Sequence, residues 1–395
     1  MKHRIVVLGA GYAGANAAGR LAKRLHPADT EITLVNADAE FVERVRMHQL
    51  ATGQDLKPRP LAGVFAGTGV QLRIARVAAV DAERRTVVLA DGGELGYDTL
   101  VYALGSTAAA VPEHAHSLAG KESTLRLRAR LADLAAGGTV LVVGGGLTGI
   151  EAATEIAEAR PDLEIALAAR GGLGDWLSEK GRDHLRRAFD RLGITVHENT
   201  AVTRVEPATA TTADGRTIPA QVTVWTAGFA VHPIAAATTL TVAETGQIVV
   251  DDTMRSVSHP DVYAVGDAAY ARGGHGTPLR MSCASGIPTA QLAADAIAAR
   301  LTGRPVPENK IGYSVQCVSL GRRDAVIQRV TPDDVAKPSA ATGKTAARIK
   351  ELICRSAAWS VEHPTLLVPS RRRHTVAAGE SGEVGRSRAG RSVPR

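Results

Sequence analysis

Two segments of this chain, RIVVLGAGYAGANAAGRLAKRL at residues 4–25 and TVLVVGGGLTGIEAATEIAEA at residues 139–159, follow one plan. Each has a short apolar run, three spaced glycines and then a small-residue helix pattern. Gly9, Gly11 and Gly14 give G-x-G-x-x-G in the first; Gly144, Gly146 and Gly149 give it in the second. The pattern constrains the fold because each glycine answers a different need. The first permits a sharp turn out of a strand, the second lets backbone approach a pyrophosphate, and the third lets helix and strand pack closely. The helix start offers free N–H groups and partial positive charge to phosphate oxygens. Two such turns, a domain's length apart, predict two nucleotide-binding domains related by duplication.

Hydrophobic periodicity fills in the rest. Strands are expected at 4–8 and 31–35 around a helix at 12–25, then at 70–75, 77–81, 86–90 and 97–106. The second unit reads as a strand from Thr139, a helix at 147–159 and a strand at 163–169. A charged helix at 178–192 and strands at 194–198, 201–206 and 221–225 follow. DVYAVGDAAY at 261–270 is a strand closed by Gly-Asp. An alanine-rich helix is expected from Pro288 to Leu301, since proline suits a first helical position. Strands at 313–320 and 325–330 and a helix at 345–360 make a terminal unit. The fold class is α/β, with two Rossmann-like domains and a small C-terminal α+β region. The first domain is expected to span 1–112 and 223–300, with the second, 113–222, inserted into it. The C-terminal region takes 301–368, and 369–395 is expected to be a disordered basic tail.

Composition narrows the function. The net charge is +7, but seven arginines against two glutamates from residue 369 onward carry most of it, so no nucleic-acid partner is expected. Cys283, Cys317 and Cys354 fit no zinc or disulfide spacing, and no metal is expected. A reducing cytoplasm suits them, and Cys283 and Cys317 read as small buried apolar residues. The short apolar run at the start reads as a strand rather than a signal sequence. No stretch approaches the length of a membrane span. Near the end, Ile349, Leu352, Ile353, Ser356 and Ala357 share a helical side with Lys344, Arg348, Lys350 and Arg355 nearby. That side either lies on an anionic membrane surface or packs on the protein.

The residues that end the second strand of each unit bear on the nucleotide. An acid there usually binds the ribose hydroxyls. The first unit has Asn36, with Asp38 close by; the second has Ala169 and Arg170. An amide can hydrogen-bond a ribose, and a guanidinium can meet a 2′-phosphate, so NADH and NADPH both stay open.

The two turns, followed by TAG at 226–228 and VYAVGDAA at 262–269, resemble the two-dinucleotide-binding-domain flavoproteins of the pyridine nucleotide-disulfide reductase superfamily. The resemblance implies FAD on the first turn, at Gly9, Gly11, Tyr12, Ala13, Gly14 and Asn36, with Gly105, Gly228 and Gly266 nearby. It implies Asp267 at the flavin's ribityl and pyrophosphate region, and NADH or NADPH at Gly144, Gly146, Gly149 and Arg170. FVERVRMHQLATG at 41–53, GGGLTGIE at 144–151 and PTAQLAADA at 288–296 resemble the type II NADH dehydrogenase-like branch. That implies catalytic roles for Glu151 near the nicotinamide, for Gln291 (with Ala290) beside flavin and quinone, and for Arg46 beside the flavin or acceptor. The branch's second glutamine is Asp295 here. The helix from Pro288 is expected to aim its N-terminus at the flavin. Residues 36–53 contain none of the C-x4-C cysteines of disulfide reductases. The expected activity is therefore hydride transfer from NAD(P)H to flavin, then electron transfer to a quinone or quinoid small molecule without a disulfide. The expected location is cytoplasmic, with peripheral contact at the inner membrane face. A soluble reductase of one quinoid metabolite and a slow, redox-responsive FAD- and nucleotide-binding protein remain alternatives.

Overall fold

The computed structural model describes residues 1–366, 368 and 372–376. Two five-stranded parallel sheets organise the chain. In the first, His3–Leu8 is central, flanked by Thr30–Asn36 and Val70–Ile74 on one side and by Thr99–Tyr102 and Val262–Ala264 on the other. In the second, Thr139–Val143 is central, between Glu164–Ala168 with Thr195–His197 and Val222–Trp225 with Ala115–Ser117. Each domain adds a three-stranded antiparallel meander, at 77–96 and 202–219. Val222–Trp225 pairs within the second sheet, so a boundary at 222/223 would cut a strand of the inserted domain. The chain returns with Phe229–Val231, antiparallel to Ser106–Ala108.

Small residues do the packing that the scarce aromatics cannot. The helix Tyr12–Arg24 buries Gly14, Ala15, Ala17, Ala18, Gly19 and Ala22, and packs on the alanine-rich helix Cys283–Leu301. A Cβ at Gly19 would lie 2.7 Å from the Pro364 carbonyl oxygen, so only glycine admits the chain there. The alanine-rich helix starts at Cys283, with Pro288 inside it rather than at its first position.

The C-terminal unit is a three-stranded antiparallel sheet, Val315–Ser319, Ala325–Val330 and Ala336–Thr342, followed by the helix Gly343–Glu362. Val318, Leu320, Val326 and Ala340 join the core of the second domain. So do Met47, Leu50 and Ala51, from the short helix Met47–Ala51 that the first domain extends toward it. The C-terminal helix packs through Ala346, Cys354, Ala357, Ala358 and Val361. Its other side leaves Ile349, Leu352 and Trp359 at 40%, 66% and 39% exposure. Residues 372–376 are held in place, though partly exposed: they hydrogen-bond to Arg24, His26, Asp29 and Leu301. The rest of the expected basic tail, including Arg371, Arg386, Arg388, Arg391 and Arg395, lies outside the described residues.

Candidate functional site

The two glycine turns share one backbone design. Gly9 and Gly144 have φ of +93° and +125°, a region that favours glycine. A Cβ on Gly14 would overlap the Gly9 carbonyl, and one on Gly149 would overlap the Gly144 carbonyl. The middle glycines differ: a Cβ on Gly11 or Gly146 would meet no protein atom within 4 Å. Both helices start with no capping side chain and no acid in the first turn. The helix Glu179–Arg191, by contrast, is capped by Ser178, which accepts from Gly181 N–H at 3.3 Å. Uncapped helix starts behind an open glycine are what a dinucleotide pyrophosphate fits.

Around the first turn, Gly266 (φ +65°) brings its backbone against Ala13 and Gly286, and its N–H lies 3.1 Å from Thr289 Oγ1. Ser106 Oγ donates to Asp267 Oδ2 at 2.6 Å. Arg44 Nη1 donates to the Ser106 carbonyl at 2.6 Å and would lie 3.8 Å from a Cβ at Gly105. Burial lowers the Arg44 pKa, with Asp267 opposing. Ala290 is fully buried. Tyr12 stacks edge-on against Phe41 at 4.9 Å, and its buried hydroxyl has no partner. That orphaned hydroxyl is a second mark of a missing polar partner beside the turn.

Two first-domain expectations change. Asn36 accepts from Ala10 N–H at 2.8 Å and donates to the Asp38 carbonyl at 2.8 Å, so its amide shapes the glycine loop. Asp38 instead lines a cavity of about 670 Å³ between the domains, with Arg76, Thr107, His116 and Lys121. Arg46 is committed elsewhere. It pairs with Glu43 at 3.2 Å and Glu351 at 2.9 Å and donates to Gln49 at 3.0 Å. The arginine at the Gly105–Asp267 corner is Arg44, two residues earlier, which the motif did not single out.

Beside the second turn, Glu151 is buried, not exposed on a helix start. Its Oε1 lies 3.0 Å from Lys350 Nζ and accepts from Ser319 N–H and Oγ–H at 3.0 and 3.1 Å. His48 Nδ1 is 3.9 Å from its Oε2. Burial opposes ionisation of Glu151, but Lys350 and His48 outweigh it and hold the carboxyl below its usual range. Burial likewise opposes the Lys350 ammonium, and Glu151 raises it above the ordinary lysine value. His48, buried with an unpartnered Nε2, is pushed down to about 4. Glu155, one turn beyond Glu151, accepts from Gln54 and is pushed up to about 7, mainly by burial. Sequence motifs named Glu151 but not Lys350, which comes from the C-terminal helix.

Thr226 closes the second turn, donating to the Val143 carbonyl at 2.9 Å; Gly228 follows at φ +82°. Arg170 is exposed at the end of Glu164–Ala168, with no side-chain partner among the described residues. Gln291 is half-buried. Asp295 is taken up by Arg20 at 2.6 Å and Arg24 at 2.5 Å. Cys354 is buried, but Cys283 and Cys317, expected to be buried, are only half-buried; loss of solvent still raises all three thiol pKa values, Cys317 to about 11.

The Pyridine nucleotide-disulphide oxidoreductase family model matches residues 3–296. An NADH dehydrogenase-like protein of Mycobacterium tuberculosis is 30% identical over 352 residues, covering 82% of this chain and 87% of its own length. The demethylphylloquinone reductase of Synechocystis is 27% identical over 349 residues, covering 82% and 86%. Among solved structures, the sulfide:quinone oxidoreductase of Aquifex aeolicus superposes with a TM-score of 0.78 at 20% identity, covering 93% of each chain. The chain belongs to the pyridine nucleotide-disulphide oxidoreductase family, and is an FAD-dependent NAD(P)H oxidoreductase of its type II NADH dehydrogenase-like branch.

Proposed function

We propose that the chain passes hydride from NAD(P)H to FAD and then electrons directly to a quinone-like acceptor, with no thiol between. The observation that carries this reading is the makeup of 41–53. Where a disulfide reductase needs paired cysteines, this segment offers Arg44, Arg46 and His48. The cysteines present elsewhere are half-buried (Cys283 and Cys317) or buried (Cys354), and their raised pKa values disfavour the reactive thiolate. A demethylphylloquinone reductase among the relatives supports a quinoid acceptor.

Bound FAD supplies the two-electron chemistry. The chain's residues do the rest. N–H groups at Gly11–Gly14 and Gly146–Gly149 hold the two pyrophosphates. Asp267, steadied by Ser106, binds the ribityl end, and Arg44 neutralises it. Asp38 takes the ribose role at the cavity between the domains. Glu151, kept ionised by Lys350, orients the nicotinamide, while Lys350 Nζ holds a proton beside it. Gln291, half-buried, borders the acceptor, while Ala290 packs inside the helix interface. Arg170 favours NADPH.

The exposed apolar side of the C-terminal helix, flanked by Arg348 and Arg355, supports peripheral contact with the inner face of a membrane, where quinones dissolve. Among the described residues no helix is long and apolar enough to cross one. Asp295, paired where the branch has a glutamine, favours the alternative of a quinoid metabolite met in the cytoplasm.

One experiment separates these readings. Anaerobic protein is reduced with NAD(P)H, its thiols are counted, and it is reoxidised with a panel of quinones, with and without anionic liposomes. The proposal expects no new thiols and fast quinone reoxidation. Two thiols appearing on reduction would overturn it. Slow reoxidation by every acceptor would instead support the redox-responsive binding protein. Co-sedimentation that is lost in Leu352→Asp supports the membrane reading.

A further inference from the structure

The end of the described chain is fastened at a point far from the glycine turns. Arg373 forms a parallel bridge with Leu25. Its N–H donates to the Arg24 carbonyl at 2.9 Å, and its carbonyl accepts from His26 N–H at 2.9 Å. Val376 N–H donates to the Leu301 carbonyl at 3.0 Å. This pairing sets His374 over the turn between the first helix and the strand Thr30–Asn36. The His374 ring stacks on His26, with centroids 4.0 Å apart and planes 26° from parallel. His374 Nδ1 lies 2.9 Å from Asp29 Oδ2, which also accepts from Thr375 N–H at 2.9 Å. One donor atom from each of His26, Asp29 and His374 lies within 4.8 Å of the other two.

We propose that His26, Asp29 and His374 form a site for a divalent late first-row transition-metal ion, of the Zn²⁺, Ni²⁺ or Cu²⁺ class, which fastens the C-terminal segment to the first domain. Two imidazoles and one carboxylate are borderline donors that suit these ions, whereas Ca²⁺ and Mg²⁺ prefer oxygen-only sets. In a tetrahedral zinc site, with bonds near 2.0–2.1 Å, neighbouring donors sit about 3.3 Å apart. Reaching that spacing requires the two rings to swing out of their stack, because a ring nitrogen's lone pair lies in the ring plane and stacked rings cannot both aim at one ion. Asp29 is already aimed by the Thr375 N–H, and the turn is closed by Asp29 N–H and Thr30 N–H donating to the His26 carbonyl at 3.0 and 3.2 Å. The His374 side chain is 67% exposed, which leaves room for water to complete the coordination. Binding replaces the His374 Nδ1–Asp29 hydrogen bond with a bond from each group to the ion. No cysteine or histidine spacing in the sequence points here, because His26 and His374 come from opposite ends of the chain.

The site exists only when the segment is docked, so metal binding and docking stabilise each other. The test needs no flavin chemistry. Full-length protein without a histidine tag is titrated with Zn²⁺ alone against a chelating dye, and amide exchange is followed at Thr375 and Val376. One equivalent is expected to bind, and His26→Ala and His374→Ala are each expected to weaken it at least tenfold. His363→Ala, on the C-terminal helix, is expected to bind as wild type. Exchange at the two amides should slow with Zn²⁺ in wild type and not in His26→Ala. No binding overturns the site, and so does equal binding by wild type, His26→Ala and His374→Ala, which means an adventitious ion only. Binding lost in the variants with no exchange effect in wild type overturns the fastening role. Flavin content and far-UV circular dichroism confirm that each variant is folded.

Discussion

The two glycine turns have nearly the same backbone and very different surroundings. Around the first, the helix buries only small or neutral groups, and the closing pieces are a glycine turn and a serine that joins Asp267 through its hydroxyl and Arg44 through its carbonyl. Around the second, the helix buries Glu151 and Glu155, which meet Lys350, His48 and Arg322 from elsewhere in the chain. Glycine spacing sets the shape of a cradle. The charge set against it is assembled from distant residues, so duplication of the fold did not duplicate the chemistry.

The comparison breaks most sharply if the charged side is removed. Lys350→Met leaves Glu151 buried and without the cation that keeps it ionised. Losing one member of such a pair costs about 3–5 kcal/mol. Urea unfolding at pH 7 should show a loss of that size, and Glu151→Leu combined with Lys350→Met should recover most of it. A loss below about 1 kcal/mol would mean that solvent screens the pair.

The next test asks which cradle serves which ligand. Gly11 and Gly146 have open space where a Cβ would go, so alanine there disturbs a ligand and not the protein. Gly11→Ala should weaken FAD binding about ten- to a hundredfold, or about 1.4–2.8 kcal/mol. Gly146→Ala should leave flavin content unchanged and raise KM for NAD(P)H by a similar factor. The reverse pattern would exchange the two assignments.

These turns were legible in the sequence because the reasons for their glycines are local. The strands beside them were legible for the same cause, their apolar runs being continuous. Other features depended on phase or distance. Arg44 and Arg46 share the turn Arg44–Arg46, and only its docking decides which faces Asp267 and which faces Glu351. Pro288 suggested a helix start, yet Cys283–Ile287 already form the first turn ahead of it. The strand Ala336–Thr342 has weak alternation and carries Pro338. It sits at a sheet edge, where proline is tolerated, and so went unmarked. The helix Lys121–Ala132 also went unmarked, because its charged sequence buries only Thr124, Leu127 and Leu131. Lys350 could not be matched to Glu151 from spacing at all.

A smaller effect separates the two buried groups beside the second turn. His48 has a folded pKa of about 4 against 6.5 for a free imidazole. Its contribution is complete above 6.5 and is lost as pH falls through about 4. Glu155 runs the other way, with a folded pKa of about 7 against 4.5. Its contribution is complete below 4.5 and is lost as pH rises through about 7. Between pH 4.5 and 6.5 the two slopes oppose each other, each at most about 1.4 kcal/mol per pH unit. Urea midpoints across that range should fall with pH more steeply in His48→Gln, and rise more steeply in Glu155→Gln, than in wild type. Parallel profiles in all three proteins would show that neither group is held at its shifted value.

The smallest effect concerns the strand ends. Asn36 is consumed by its own loop, which leaves Asp38 as the acid proposed for the ribose. Arg170 is unengaged, and the nearby Asp175 is occupied in accepting from Gly172 N–H at 2.7 Å. With no free acid at this strand end to bind the 2′-hydroxyl, a guanidinium suits a 2′-phosphate. Arg170→Ala should lower kcat/KM for NADPH about fivefold to tenfold, roughly 1–1.4 kcal/mol, and leave NADH unchanged. If wild type strongly prefers NADH and the variant loses nothing with either coenzyme, Arg170 is a solvated loop residue. The second cradle would then discriminate by shape alone.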